Sequence, residues 1–156
     1  METVVADTCA LVSLAIPTAD ADYETTVDPD PLQFLLTGAE VLVPLHVERE
    51  LHEMAGYDDI RAAATTKVLS ASEHYTRIDP LDRTDTPAEL PDHGLDEGET
   101  AGIVLANALD VDAFLTDEFR NLARVHALRA SSWFRHPDCC GTTPETGISD
   151  PTRLDF

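Results

Sequence analysis

Short unbroken apolar runs alternate along the chain with longer segments in which apolar residues recur every three or four positions. Val4-Val5-Ala6 is too short for a helix and is bounded by Asp7, so it predicts a buried strand. Thr8 to Ile16 reads as a helix that Pro17 stops. Leu32 to Leu36 predicts a short helix closed by Gly38, and Val41-Leu42-Val43 a second strand ended by Pro44. Helices are expected from Leu45 to Met54, closed by Gly56, and from Tyr57 to about Ser72. In the latter, Ile60, Ala64, Val68 and Ala71 recur at helical spacing. Tyr75 to Ile78 is expected as a short third strand, Asp96 to Leu109 as the most apolar helix, and Ala113 to Thr116 as the fourth strand. Glu118 to Leu128 is expected to be helical, with Phe119, Leu122, Ala123 and His126 on one face, and Ser131 to Phe134 is read as a fifth strand.

Thr18 to Pro31 and Asp79 to Gly94 are rich in proline and acid and predict loops. After His136 the composition shifts to Pro, Gly, Thr and Asp. A domain over residues 1–135 and a tail over residues 136–156 are therefore expected. Strands that alternate with helices imply an α/β fold of three layers, α/β/α, with a central parallel sheet of four to five strands. In such sheets the functional crevice lies beyond the carboxyl ends of the strands.

Charge changes how this pattern is read. The 156 residues include 30 acids and 10 basic residues, a formal net charge of −20, and Lys67 is the one lysine. Acidic composition signals disorder only where apolar residues are scarce, and here 43% are hydrophobic. A folded protein with an acidic, lysine-poor surface resembles those of salt-loving archaea. At ordinary salt this charge argues against a nucleic-acid ligand. In concentrated salt the repulsion is screened within a few ångström, so global charge does not exclude RNA. No apolar stretch approaches the roughly 18 residues of a membrane span, and Met1-Glu2-Thr3-Val4-Val5 lacks the features of a secretory signal. A cytoplasmic protein with no membrane partner is expected. Cys9, Cys139 and Cys140 are odd in number and imply no disulfide framework. Cys9 is read as packed, His46 and His52 as surface residues, and His136-Pro137-Asp138-Cys139-Cys140 lacks the paired spacing of a zinc site.

Acids occupy the places where the crevice rule puts function. Asp7 follows the first strand and Asp117 the fourth. Glu99 opens the apolar helix, and Glu50 lies in the helix after the second strand. Taken in order, these motifs resemble the PIN-domain family, the nuclease fold shared by VapC-type toxins and RNA-processing enzymes. The similarity covers residues 4–128: an apolar strand ending in Asp7-Thr8, an apolar-Pro entry to a helix carrying Glu50-Leu51, Gly98-Glu99 opening an alanine-rich helix, and a strand ending in Thr116-Asp117-Glu118. Glu99 stands where many relatives carry Asp, and the final strand motif is hard to recognise around Ser131-Ser132-Trp133-Phe134.

The resemblance implies an endoribonuclease in which Asp7, Glu50, Glu99 and Asp117 hold one or two Mg²⁺ or Mn²⁺ ions. Asp96 is an additional candidate ligand, because positions i and i+3 share a helix face. Thr8, Thr116 and Glu118 would support the ligands. Separately, Arg120, Arg124, Arg129 and Arg135 are four of the ten basic residues within sixteen positions, and Arg120 and Arg124, on one helix face close to Asp117, are candidates to contact RNA phosphates. The implied partners are RNA, an antitoxin that blocks the acidic cleft, and a second copy in a homodimer. Hard cations prefer oxygen ligands, and converging carboxylates without a cation would repel one another. Plainer readings stand beside this one. Asp7, Asp117 and Asp96 could be helix caps, Arg120 and Arg124 could pair with acids, and the acids could serve salt adaptation alone. A PIN-like module that binds RNA or protein without cleaving is the alternative function.

Overall fold

The computed structural model describes residues 1–19, 30–117, 120 and 122–130. Among these, four strands form one sheet: β1 (Glu2–Ala6), β2 (Ala39–Pro44), β3 (Thr76–Ile78) and β4 (Ala113–Leu115). Their order is β3-β2-β1-β4 and every neighbouring pair is parallel. Val5 stands opposite Leu42 on one side and Phe114 on the other. Six helices are described: α1 (Thr8–Ala15), α2 (Pro31–Gly38), α3 (Leu45–Met54), α4 (Ile60–Ser70), α5 (Glu97–Ala108) and α6 (Leu122–Ala130). They cover both faces of the sheet, so the fold is the expected three-layer α/β/α arrangement.

Successive strand side chains point to opposite faces, and here both faces are apolar. Ala6, Val41, Val43 and Leu115 join the core formed with α1 to α4, whereas Val5, Leu42 and Phe114 pack on the α5 side with Leu105 and Ala106. Burial on both faces explains why β1 and β2 read as unbroken apolar runs rather than alternating ones. Gly102 brings α5 close to the sheet, since a Cβ there would lie 2.6 Å from Phe114 Cε2.

Aspartates begin most of the helices. Asp7, Asp30, Asp59 and Asp96 accept from backbone N–H groups in the first turns of α1, α2, α4 and α5. Each cap typically stabilises by about 1 kcal/mol. The Lys67 ammonium bonds both Asp30 and Thr18, which ties α4 to the entry of α2.

The structure departs from the sequence pattern in several places. The second long helix begins at Ile60, after its cap Asp59, rather than at Tyr57. Ile60 is exposed, while Ala64 and Val68 are fully buried. Helical side chains lean toward the N-terminus, so a first-turn residue projects past the helix end. Cys9 is exposed rather than packed, because α1 buries the stripe Thr8, Leu11, Val12 and Ala15. Among the described side chains of α6, Val125 is buried and Ala123 and His126 are exposed; the side chains of Phe119 and Leu122 lie outside the described ones. The α6 register is set by polar ties: Arg129 donates to Asn107 Oδ1 at 3.0 Å and to the Val111 carbonyl at 3.2 Å. The expected loop over Asp79–Gly94 contains one short 3₁₀ turn, Pro80–Asp82. The fifth strand at Ser131–Phe134 and the tail over residues 136–156 lie outside the described residues. Among the described residues no helix is long and apolar enough to cross a membrane.

Gly102→Ala tests the close approach of α5. In most helix interiors this change stabilises by roughly 0.5–1 kcal/mol. Here the methyl group meets the Phe114 ring, and urea denaturation is expected to show a loss of about 1–3 kcal/mol from overpacking.

Candidate functional site

From β1 the chain builds the sheet outward through β2 to β3, then returns to place β4 on the other side of β1. The direction of winding therefore reverses between β1 and β4, where an open parallel sheet leaves its crevice. Asp7 follows β1, and Thr116-Asp117 follow β4.

Asp7 is only 2% exposed. Its N–H donates to the Leu115 carbonyl at 3.0 Å, tying it to β4, and its Oδ1 accepts from Ala10 N–H at 2.7 Å. The other oxygen, Oδ2, is sealed from solvent with no hydrogen-bond partner. Burial pushes the Asp7 carboxyl above the usual carboxylate range. The Thr116 hydroxyl and Ala10 N–H oppose that shift, and the charges of Asp96 and Asp117 add to it.

Glu50 is half-buried on α3. Its Oε2 accepts from the Thr8 hydroxyl, and the first turn of α5 lies against it. Burial also raises this carboxyl, helped by repulsion from Asp96 and Asp7, while Thr8 and the Gly98 N–H favour the charged form. Asp96 is exposed and caps α5, accepting from Glu99 N–H at 2.7 Å. Glu99 is buried in the same turn. Asp117 is exposed, and its Oδ2 accepts from the Ser13 hydroxyl at 2.5 Å.

The fold thus places Asp7, Glu50, Asp96 and Asp117 within electrostatic reach at one end of the sheet, with Glu99 in the turn that carries Asp96. Thr8 and Thr116 hold carboxylates as expected. Asp7 and Asp96 are also helix caps, so the capping and site readings coexist. Asp117 accepts from Ser13, and Glu118 lies outside the described residues. Arg120 and Arg124 are exposed, and Arg124 donates to the Gly94 carbonyl at 3.0 Å, just before Asp96.

Ser13, the one hydroxyl amid Leu11, Val12, Leu14 and Ala15, reaches Asp117 with no sequence reading that points to it. His46 is buried rather than on the surface, in the first turn of α3 directly after β2. His52 is exposed. Burial of an acid does not by itself mark the site: Glu48 is also buried, but it pairs with Arg77 at 3.2 Å.

The donor chemistry fits a hard divalent ion. Among the described residues no three His, Cys, Asp or Glu side chains converge as a ready-made metal shell. Mg²⁺, however, keeps several waters and is commonly held by one or two carboxylates. Asp96 and Asp117 lie within electrostatic reach of Asp7, and Asp7 Oδ2 has no hydrogen-bond partner. An apolar groove of about 960 Å³ is lined by residues of α1, α2, β1 and β4, with Leu14, Phe34, Leu115, Thr116 and Asp117 in its walls. Comparison with known proteins gives no match to a family model, a curated protein or a solved structure.

Asp7→Asn tests the electrostatics without metal. Asparagine is still a good cap and removes the buried charge. In EDTA at neutral pH it is expected to raise unfolding stability by about 0.5–2 kcal/mol, as relief of a destabilised functional site commonly does. The native pKa of Asp7 is raised, so between its unfolded and native values the folded state binds more protons. Stability of the natural protein therefore falls as pH rises through that window. The advantage of the variant should shrink as pH is lowered through the native pKa and vanish below the unfolded one. Denaturation series of both proteins across pH check this.

Proposed function

We propose that the chain is a metal-dependent endoribonuclease that hydrolyses RNA phosphodiester bonds with Mg²⁺ or Mn²⁺. This is the activity its resemblance to the PIN-domain family implies. One observation carries it: a buried Asp7 oxygen with no donor, repelled by Asp96 and Asp117, at the switch point of a parallel sheet. Buried charges are normally paired or bound to metal, and a divalent ion would satisfy this one.

Asp7 and Asp117 would hold the principal ion, with Asp96 adding a carboxylate from the α5 cap. Glu50 and Glu99 would complete the shell through water or at a second position. Such an ion supplies an activated water at neutral pH and charge stabilisation for the leaving oxygen. Thr8 donates to Glu50, Thr116 stabilises the ionised Asp7, and Ser13 donates to Asp117. The Arg124 guanidinium has five donors, so it can hold the loop before Asp96 and still meet a phosphate, as can Arg120. A toxin role, with an antitoxin partner and a homodimer, belongs to the same reading. The apolar groove with Asp117 in its wall is the seat it offers an antitoxin. The lack of a three-ligand shell among the described residues favours the alternative, a module that binds RNA or protein without cleaving it.

Incubation of labelled RNA in high KCl separates these readings. Cleavage is expected with Mn²⁺ or Mg²⁺ and none with EDTA. Asp7→Asn should reduce the rate by on the order of 10²-fold or more. RNA binding without cleavage supports the module instead, and full activity of Asp7→Asn overturns the proposed site.

A further inference from the structure

The Glu50 carboxylate lies directly on the first turn of α5. A Cβ built on Gly98 would stand 2.8 Å from Glu50 Oε2, 2.9 Å from Oε1 and 3.1 Å from Cδ. These are the three atoms nearest to that position. Any residue other than glycine would require the Glu50 carboxylate, the far end of a side chain that Thr8 holds, to shift. Gly98 is the second residue of α5, has no positive φ and is buried. Its backbone therefore does not call for glycine, and glycine is a poorer helix former than alanine. The contact with Glu50 accounts for a residue that local structure would disfavour.

We infer that Gly98 is a positioning residue, whose missing side chain seats the Glu50 carboxylate between Thr8 of α1 and the first turn of α5. Three elements meet at that carboxylate. Glu50 comes from α3, Thr8 donates to it from the first residue of α1, and the Gly98 N–H favours its charged form from α5. The N-terminus of a helix also attracts negative charge through its unsatisfied N–H groups. Glu50 thus acts as a strut. It holds the turn that carries Asp96 and Glu99 against the helix that begins at Asp7. The contact itself is independent of the nuclease reading; only its consequence for metal binding rests on that reading.

A double-mutant cycle in EDTA tests the contact with no metal present. Urea midpoints would be measured for the natural protein, Gly98→Ala, Glu50→Ala and the double variant. With Glu50 truncated, the alanine at position 98 meets no obstacle, and the midpoint is expected to rise as for an ordinary helix position. With Glu50 in place, the methyl group displaces the carboxylate, and the midpoint should rise less or fall. Equal shifts in the two backgrounds would overturn the inference. Should Gly98→Ala fail to fold, Gly98→Ala/Glu50→Asp is the deciding variant. The shorter side chain withdraws the carboxylate and should restore folding, and failure to do so counts against the contact.

Mn²⁺ titration by calorimetry then reads the consequence. Gly98→Ala should weaken binding by about 10–100-fold, the usual effect of disturbing groups that orient metal ligands, and Glu50→Asp should recover part of the loss. A positive cycle with no Mn²⁺ binding by the natural protein would leave the strut standing and remove the metal site. A cycle without coupling, with Mn²⁺ bound normally, would do the reverse.

Discussion

A carboxylate placed out of contact with water at the end of a central strand governs the arrangement around it. Asp7 cannot move away: its N–H is held by β4, its Oδ1 caps α1, and Val5 and Ala6 before it are fully buried. Two sets of hydrogen bonds favour its charged form, yet burial and the neighbouring acids prevail and its proton affinity rises. A group that is capped, immobile and still electrostatically unsatisfied is a poor choice for stability and a reasonable one for binding a cation. Perturbed carboxylates of this kind cluster at functional sites. The surrounding side chains follow from the same constraint. Thr116, Thr8 and Ser13 are hydroxyl donors, each directed at a different acid, and none adds charge.

The site differs physically from the acidity of the chain as a whole. Most acids among the described residues are exposed, and their mutual repulsion is reduced by salt over short distances. Asp7 and Glu50 are set apart by burial, which raises both carboxyls. Other acids have local structural tasks: Asp30 and Asp59 start helices, and Glu48 answers Arg77. The one lysine follows the same logic. Lys67 is mostly buried beside Asp30 and Thr18 rather than displayed to solvent. The lysine-poor surface and the carboxylate site therefore need separate explanations, although both appear in a sequence as negative charge.

Much of this architecture was legible in the amino-acid order. Apolar runs of three to five residues, interrupted by helical periodicity, determined a parallel sheet covered on both sides. Pro17 and Pro44 marked where elements change. Asp7-Thr8 and Thr116-Asp117 could be placed at strand ends because an apolar run stops at each. Helix faces were less legible at the edges of the fold. Ile60, Cys9 and His126 are apolar or weakly polar residues whose exposure depends on which neighbour covers them. His46 was missed for the converse reason: a polar side chain gives no sign that the turn from β2 into α3 will be enclosed.

By itself, then, the sequence determined the layers, the strand ends and the identity of the acids, because these depend on local periodicity and on where apolar runs terminate. Only tertiary structure decided which acids share a dielectric environment. The order β3-β2-β1-β4 sets Asp117 beside Asp7 across more than a hundred residues of chain. The packing of α3 on α5 brings Glu50 onto Gly98. Ser13 on α1 meets Asp117, 104 positions further along the chain. Desolvation and repulsion depend on distance in space, and separation along the chain carries almost no information about that distance.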